Sequence, residues 1–234
     1  ALPICASDIS IGPAVDLWGF RGPTRKLPSE IELQALRPRV DYRKILMSGN
    51  QVRLETPGMR LDPGAIGKGY ALEEANRLLR EAGVSSALLP AGTSSVCAIG
   101  TPPSEPLCSI ATKHPNPNTS VPAGPEQLVA LAGLRDESLG VSSGLGRAFE
   151  HRGELYGHVL DPRCGRPTQN ALLAAVVLPS GTAADAWSTA LLVSAEAGPN
   201  ALGQAEGNGR SLLMLPNNDE SYRLAGAGFE MVNC

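Results

Sequence analysis

The stretch Leu61-Asp62-Pro63-Gly64-Ala65-Ile66-Gly67-Lys68-Gly69-Tyr70 sets an acid, three glycines and a lysine at the entry of a predicted helix. Asp62 and Pro63 suit an N-cap and a first helical residue, and Ile66, Tyr70, Leu72, Ala75, Leu78 and Leu79 recur at near-helical spacing until Gly83. At a helix entry, unpaired backbone N–H groups and the helix dipole favour an anion. Gly64, Gly67 and Gly69 let a ligand approach the backbone, and Lys68 adds a positive charge. A phosphate-bearing ligand suits this chemistry. A capped helix whose glycines serve close packing accounts for the same residues.

Outward from this stretch, the chain reads as a protein able to bury a sizeable core. It has 234 residues, 42% hydrophobic and 18% charged, with a formal net charge of −3. The acidic balance and scattered basic residues argue against a nucleic-acid partner. No apolar run has the length of a membrane span, and the first residues lack the flank of an intact signal peptide. Five cysteines without a C-x-x-C pair suggest neither a zinc site nor a full disulfide framework, leaving a Cys97–Cys108 bridge open in an oxidising compartment.

Before the central stretch, Gly12-Pro13 predicts a turn and Trp18 with Phe20 offers either core anchors or a stacking wall, the core reading being preferred. Ser29 and Glu32 form a capping box ahead of a short helix halted by Pro38, and 44–54 predicts a hairpin about Ser48-Gly49-Asn50. After the central helix, 86–90 predicts a short buried strand, 91–95 a turn and 96–99 another strand. Residues 101–124 predict a long surface excursion containing a strand at 107–111. Residues 139–142 lead to Ser143-Gly144, and further strands are expected at 154–160 before the turn at Asp161-Pro162 and at 171–178, whose continuous apolar run marks a central strand. A helix over 183–195 and two strands around Asn217-Asn218 complete one globular unit.

Two further constellations carry chemistry. Asp185 and Thr189 stand four apart on the predicted helix, with Ser188 adjacent, so one face presents oxygen of the kind a hard cation such as Mg²⁺ prefers. The alternative is that Asp185 caps the helix while Thr189 packs. His158 precedes Asp161-Pro162 at a strand end, where an imidazole acts as a base, binds phosphate or is structural. His114 and His151 take no role. Nucleophile-elbow, P-loop, zinc-protease and dinucleotide fingerprints are all absent.

Taken together, five ordered segments resemble the FAD:protein FMN transferase (ApbE) family. They are G-P-A-V-D-L-W-G-F (12–20), L-D-P-G-A-I-G-K-G-Y-A (61–71), S-S-G (142–144), G-H-V-L-D-P-R-C-G-R-P (157–167) and A-D-A-W-S-T-A (184–190). The resemblance implies an α+β fold of two-layer, T-fold-related type, with mixed or antiparallel sheets and helices, in which residues 1–234 form one domain lacking the family's usual N-terminal segment. It implies a Mg²⁺-dependent transferase that cleaves FAD, attaches FMN to a threonine or serine of a target flavoprotein and releases AMP. FAD hydrolysis to FMN and AMP, or a non-catalytic flavin-binding accessory role, are the alternatives.

Residue by residue, the resemblance makes His158 and Asp185 catalytic. Trp18, Gly19, Phe20, Asp62, Lys68 and Val159 become flavin-nucleotide contacts, and the Ala65 carbonyl, Asp185, Ser188 and Thr189 the metal shell. Two departures stand out: 91–95 replaces the usual G-G-[ND], and Cys164 replaces a threonine. A periplasmic or membrane-associated location is also implied, with the cytoplasm left open. Oligomeric state is not indicated.

Overall fold

The computed structural model describes residues 6–115, 128–217 and 221–232. In chain order the helices and strands are α1 (Gly12–Leu17), α2 (Glu30–Leu36), β1 (Ile45–Ser48), β2 (Gln51–Leu54), α3 (Gly67–Glu81), β3 (Ala87–Ala91), β4 (Ser95–Ile99), β5 (Cys108–Lys113), β6 (Leu128–Leu134) and β7 (Ser138–Ser143). They continue with β8 (Ala148–His151), β9 (Glu154–Gly157), β10 (Leu160–Asp161), β11 (Arg166–Pro167), β12 (Leu173–Leu178), α4 (Gly181–Ser194), α5 (Gly198–Glu206), β13 (Arg210–Pro216), β14 (Tyr222–Ala227) and β15 (Glu230–Met231).

A six-stranded antiparallel sheet in the order β14-β13-β12-β7-β4-β3 forms the spine. Its central strand is β12, all six residues of which are buried, as the continuous apolar run predicts. Alternation along β12 divides the core in two. Ala174, Val176 and Leu178 face α4 and α5 with Trp187, Leu191 and Leu202. Leu173, Ala175 and Val177 face the small sheet β15-β6-β5 through Val129, Ala132 and Leu134. The fold is α+β, with helices on one face of the main sheet and the three-stranded sheet adding a layer on the other. Each valine so enclosed is worth about 1.5–3 kcal/mol of apolar burial.

Several local expectations are met. Ser29 Oγ accepts from Glu32 N while the Glu32 carboxylate accepts from Ser29 N, completing the capping box of α2. β1 and β2 pair as the predicted hairpin. Others are corrected. Gly12-Pro13 opens the short helix α1 rather than a turn, because Pro fits the first helical turn. The strand at 87–91 is not buried: β3 is an edge strand with Leu88 exposed, and its Pro90 is tolerated there. The segment 154–160 is two strands, β9 and β10, with His158 between them.

Cys97, Cys108 and Cys164 are free thiols. Cys97 lies on β4 of the main sheet, where its Sγ accepts from Asn76 Nδ2 at 3.3 Å, whereas Cys108 opens β5 of the other sheet. The Cys97–Cys108 bridge that the sequence leaves open is not formed in this structure. Part of the 101–124 excursion, and Asn218 of the final turn, lie outside the described residues.

Candidate active site

The opening stretch folds differently from a single helix. Asp62 Oδ1 accepts from Gly64 N at 2.8 Å and caps a 3₁₀ turn, Pro63–Ala65; α3 starts only at Gly67, after Ile66 adopts a φ of −136°. The buried stripe of α3 also differs from the apolar spacing. Tyr70 and Leu78 are exposed, and Gly69 and Leu72 are the buried positions. The reason is the helix it meets: a Cβ on Gly69 would lie 2.0 Å from Gly181 O, and one on Gly181 2.7 Å from Gly69 O. Only glycine lets the two backbones approach so closely.

That approach delivers Asp185 to the entry of α3. Its Oδ2 accepts from Gly69 N at 2.7 Å and its Oδ1 from Ser95 Oγ at 2.6 Å. The anion at this helix N-terminus is thus the protein's own carboxylate, where the dipole favours it. Asp185 does not cap α4. That task falls to Ser180, whose Oγ accepts from Ala183 N, and to Glu73 of α3, which accepts from Ser180 Oγ at 2.8 Å and Thr182 N at 3.0 Å. Burial opposes ionisation of Glu73, but these donors outweigh it and hold its carboxyl below the usual range.

One turn along α4, the Ser188 and Thr189 hydroxyls lie 2.8 Å and 3.0 Å from Ser142 Oγ at the end of β7. The 3₁₀ turn carrying Ala65 packs against the same helix. Asp185 is 4% exposed, and among the described residues no Lys, Arg or His lies within ion-pair distance of it. A buried carboxylate met by two neutral donors and by no basic side chain is of a kind that suits a cation. No three His, Cys, Asp or Glu side chains converge among the described residues. The donors are one carboxylate with hydroxyl and carbonyl oxygens, a set suited to Mg²⁺.

His158 sits beyond the end of β7. Gly157 passes so close to Gly144 that an added Cβ would lie 1.9 Å from Gly144 O, which fixes the histidine beside the 143–146 segment. Its Nδ1 is buried and has no partner. Burial first, then the positive charges of Arg147 and Lys68, pushes its pKa below the ordinary 6.5, so the imidazole is neutral at pH 7. Gly146, whose added Cβ would meet His158 Cε1 at 3.7 Å, also lines a cleft of about 540 Å³ together with His114, Ser143, Arg147, Phe149 and Leu155.

The remaining expected site residues divide. Lys68 is exposed at the start of α3. Asp62 is paired with Arg21 at 2.7 Å, and Arg21 also reaches Asp16, which Arg60 joins, so the 12–20 and 61–71 segments are tied together. Trp18 and Phe20 are 1% and 6% exposed, closed into an aromatic cluster with Phe149 and Tyr156. Trp18 Nε1 donates to Gly165 O at 2.7 Å, so this ring braces the 157–167 loop rather than offering a face, as the core reading has it. Gly19 has a φ of 75°. Val159 is half-buried and its carbonyl accepts from Thr168 N. Sequence reasoning missed Glu73, Ser95 and a role for Ser142 individually. Ser142 lay within a recognised segment, whereas nothing about Glu73 or Ser95 marks it as a partner of α4.

With the geometry in hand, comparison with known proteins gives a consistent answer. The ApbE family model matches residues 5–211. The FAD:protein FMN transferase of Escherichia coli K12 is 27% identical over 200 residues, covering 80% of this chain and 54% of that protein. The chain therefore spans about half the length of the curated relatives it matches. The apo flavinyl transferase ApbE of Pseudomonas stutzeri superposes with a TM-score of 0.77 at 23% identity, covering 94% of this chain and 66% of that one. The ApbE protein of Thermotoga maritima gives 0.79 at 24%, covering 93% and 69%. At these identities the structural likeness speaks to the fold. The chain belongs to the ApbE family.

Proposed function

We propose that this ApbE-family chain, acting as one domain, is a Mg²⁺-dependent FAD:protein FMN transferase that passes FMN from FAD to a threonine or serine hydroxyl of a target flavoprotein and releases AMP. The observation that carries the reading is the buried Asp185 carboxylate, one helical turn from hydroxyls that meet Ser142 of β7, with the neutral His158, its Nδ1 unpaired, beside the 143–146 segment that follows β7. The reaction breaks the FAD phosphoanhydride and forms a phosphoester to the acceptor oxygen. The acceptor proton must leave and AMP must depart carrying negative charge.

Neutral His158 is suited to take that proton, its buried Nδ1 being unpaired. The Ala65 carbonyl, Asp185 and Thr189, with Ser188 adjacent, would hold Mg²⁺. When bound, the ion supplies charge neutralisation to the pyrophosphate and the departing AMP. Lys68 adds a fixed positive charge at the α3 entry, and Asp62, held by Arg21, and the Gly19 and Val159 backbone border the nucleotide. The cleft along Arg147 and Phe149 gives the flavin nucleotide or acceptor segment room beside His158. The envelope location implied by the family is part of this proposal and rests on resemblance alone.

Incubation with FAD, Mg²⁺ and an acceptor flavoprotein, read as covalently bound flavin by in-gel fluorescence and AMP by chromatography, tests the reading. Labelling is expected from the parent and lost in Asp185→Ala and His158→Ala. Full labelling by Asp185→Ala removes the metal assignment, and equal AMP release without acceptor marks a hydrolase instead.

A further inference from the structure

The three hydroxyls beside Asp185 admit a single pattern of hydrogen bonds. Each hydroxyl has one proton to give and lone pairs to accept with. Ser188 Oγ lies 2.9 Å from the Asp185 backbone carbonyl, which has no proton, so Ser188 must be the donor there. With its proton spent, Ser188 accepts from Ser142 at 2.8 Å. With the Ser142 proton spent in turn, the 3.0 Å contact to Thr189 is a hydrogen bond only if Thr189 Oγ1 donates. Any other assignment leaves one of the three short oxygen pairs without a proton between them.

We infer that Ser142 is a positioning residue for the cation site: it draws the Thr189 proton inward along the relay Thr189 to Ser142 to Ser188 to the Asp185 carbonyl, leaving Thr189 Oγ1 as a pure acceptor toward the site. This rests on the metal reading above and deepens it. Without the relay, the Thr189 hydroxyl is free to turn its proton toward the cation and repel it. Among the described residues, Ser142 is the Thr189 hydroxyl's hydrogen-bond partner. The same logic removes Ser188 from the metal shell. It is 1% exposed and spends its proton on the helix backbone and a lone pair on Ser142, so it acts as a link in the chain. Asp185 is arranged in the same sense, with one donor on each oxygen, from Gly69 N and Ser95 Oγ, so its rotamer is fixed while its remaining lone pairs stay available. A neighbour that orients a ligating oxygen is worth a factor of about 10–100 in metal affinity.

The test is Mn²⁺ titration followed by electron paramagnetic resonance on the full chain without FAD, so that binding is read apart from activity. Ser142→Ala should bind Mn²⁺ about 10–100-fold more weakly than the parent, and Ser142→Thr, which keeps the hydroxyl, should restore affinity. Melting of the metal-free variants, recorded alongside, should stay near that of the parent. A Ser142→Ala protein binding within about twofold of the parent, or a Thr variant no better than the Ala one, overturns the relay. If the parent binds Mn²⁺ no better than Asp185→Ala, the metal reading itself falls and the relay with it. That outcome is distinguishable because the parent, rather than the Ser142 variant, is what fails.

Discussion

The two ends of the candidate site share a close glycine approach, Gly69 with Gly181 and Gly157 with Gly144, and differ in how their polar groups are matched. Around Asp185 the backbones of α3 and α4 touch through Gly69 and Gly181, and each carboxylate oxygen has its donor. Around His158 an aromatic cluster and two short strands hold a loop, a cleft opens beside it, and Nδ1 is left without a partner. Buried polar atoms are matched as a rule, so an unmatched one calls for an explanation, and at His158 the proposed proton transfer supplies it. The Asp185 end is therefore expected to be rigid and intolerant, and the cleft side of the His158 end, at Gly146, adaptable and sensitive to protons.

The strongest way to break this contrast is a pair of glycine substitutions. Gly69→Ala drives a Cβ into Gly181 O and against Asp185 Cβ and should cost about 3 kcal/mol of stability in urea unfolding. Gly146→Ala, whose Cβ makes an ordinary 3.7 Å contact with His158, should cost less than about 1 kcal/mol. Equal costs would end the distinction. A smaller effect is expected at the brace of the second end. Trp18→Phe removes the donor to Gly165 O and leaves a buried carbonyl unmatched, which costs about 1–3 kcal/mol, read by the same unfolding.

Proton sensitivity sharpens the comparison further. The folded-state pKa of His158 is lowered, so between that value and the ordinary 6.5 the unfolded chain binds more protons than the folded one. Its contribution makes stability rise with pH through that window, level off above 6.5 and carry its full penalty below the folded pKa. Comparing thermal melts of the parent and His158→Gln across pH 5 to 8 should show a shallower slope in the variant, in which the contribution of His114, also lowered by burial, remains. The smallest expected change comes from Lys68→Gln. Removing a like charge should raise the His158 pKa, seen as a shift of its imidazole titration by NMR, while the Asp185 end is left unchanged.

What was legible in the sequence was whatever depends on neighbours along the chain. The capping box at Ser29 and Glu32, the 45–54 hairpin and the buried β12 are local statements about hydrogen bonding or apolar content, and the structure holds them. So is the shared face of Asp185, Ser188 and Thr189, which helical spacing alone dictates. The family segments supplied the fold class and the residues to watch. Where local reading failed, a partner distant in sequence had intervened. Tyr70 and Leu78 fit an apolar stripe, yet α3 turns Gly69, Leu72 and Glu73 inward because α4 arrives on that side.

The sequence by itself therefore determined an α+β chain of the ApbE family and nearly all the side chains of the proposed site, because helix caps, strand alternation and i, i+4 spacing are properties of short segments and the family motifs are short segments too. Only the tertiary structure decided who meets whom. Gly69 N donates to Asp185 across 116 residues, Ser95 Oγ across 90 and Ser142 meets Thr189 across 47, and no periodicity encodes such pairings. The structure also decided that the helix-entry amide serves the protein's own carboxylate, that Trp18 braces a loop, and that the His158 Nδ1 stays unpaired. The physical reason is that hydrogen-bond satisfaction is settled for the buried volume as a whole, after every segment has found its place, and not for any segment alone.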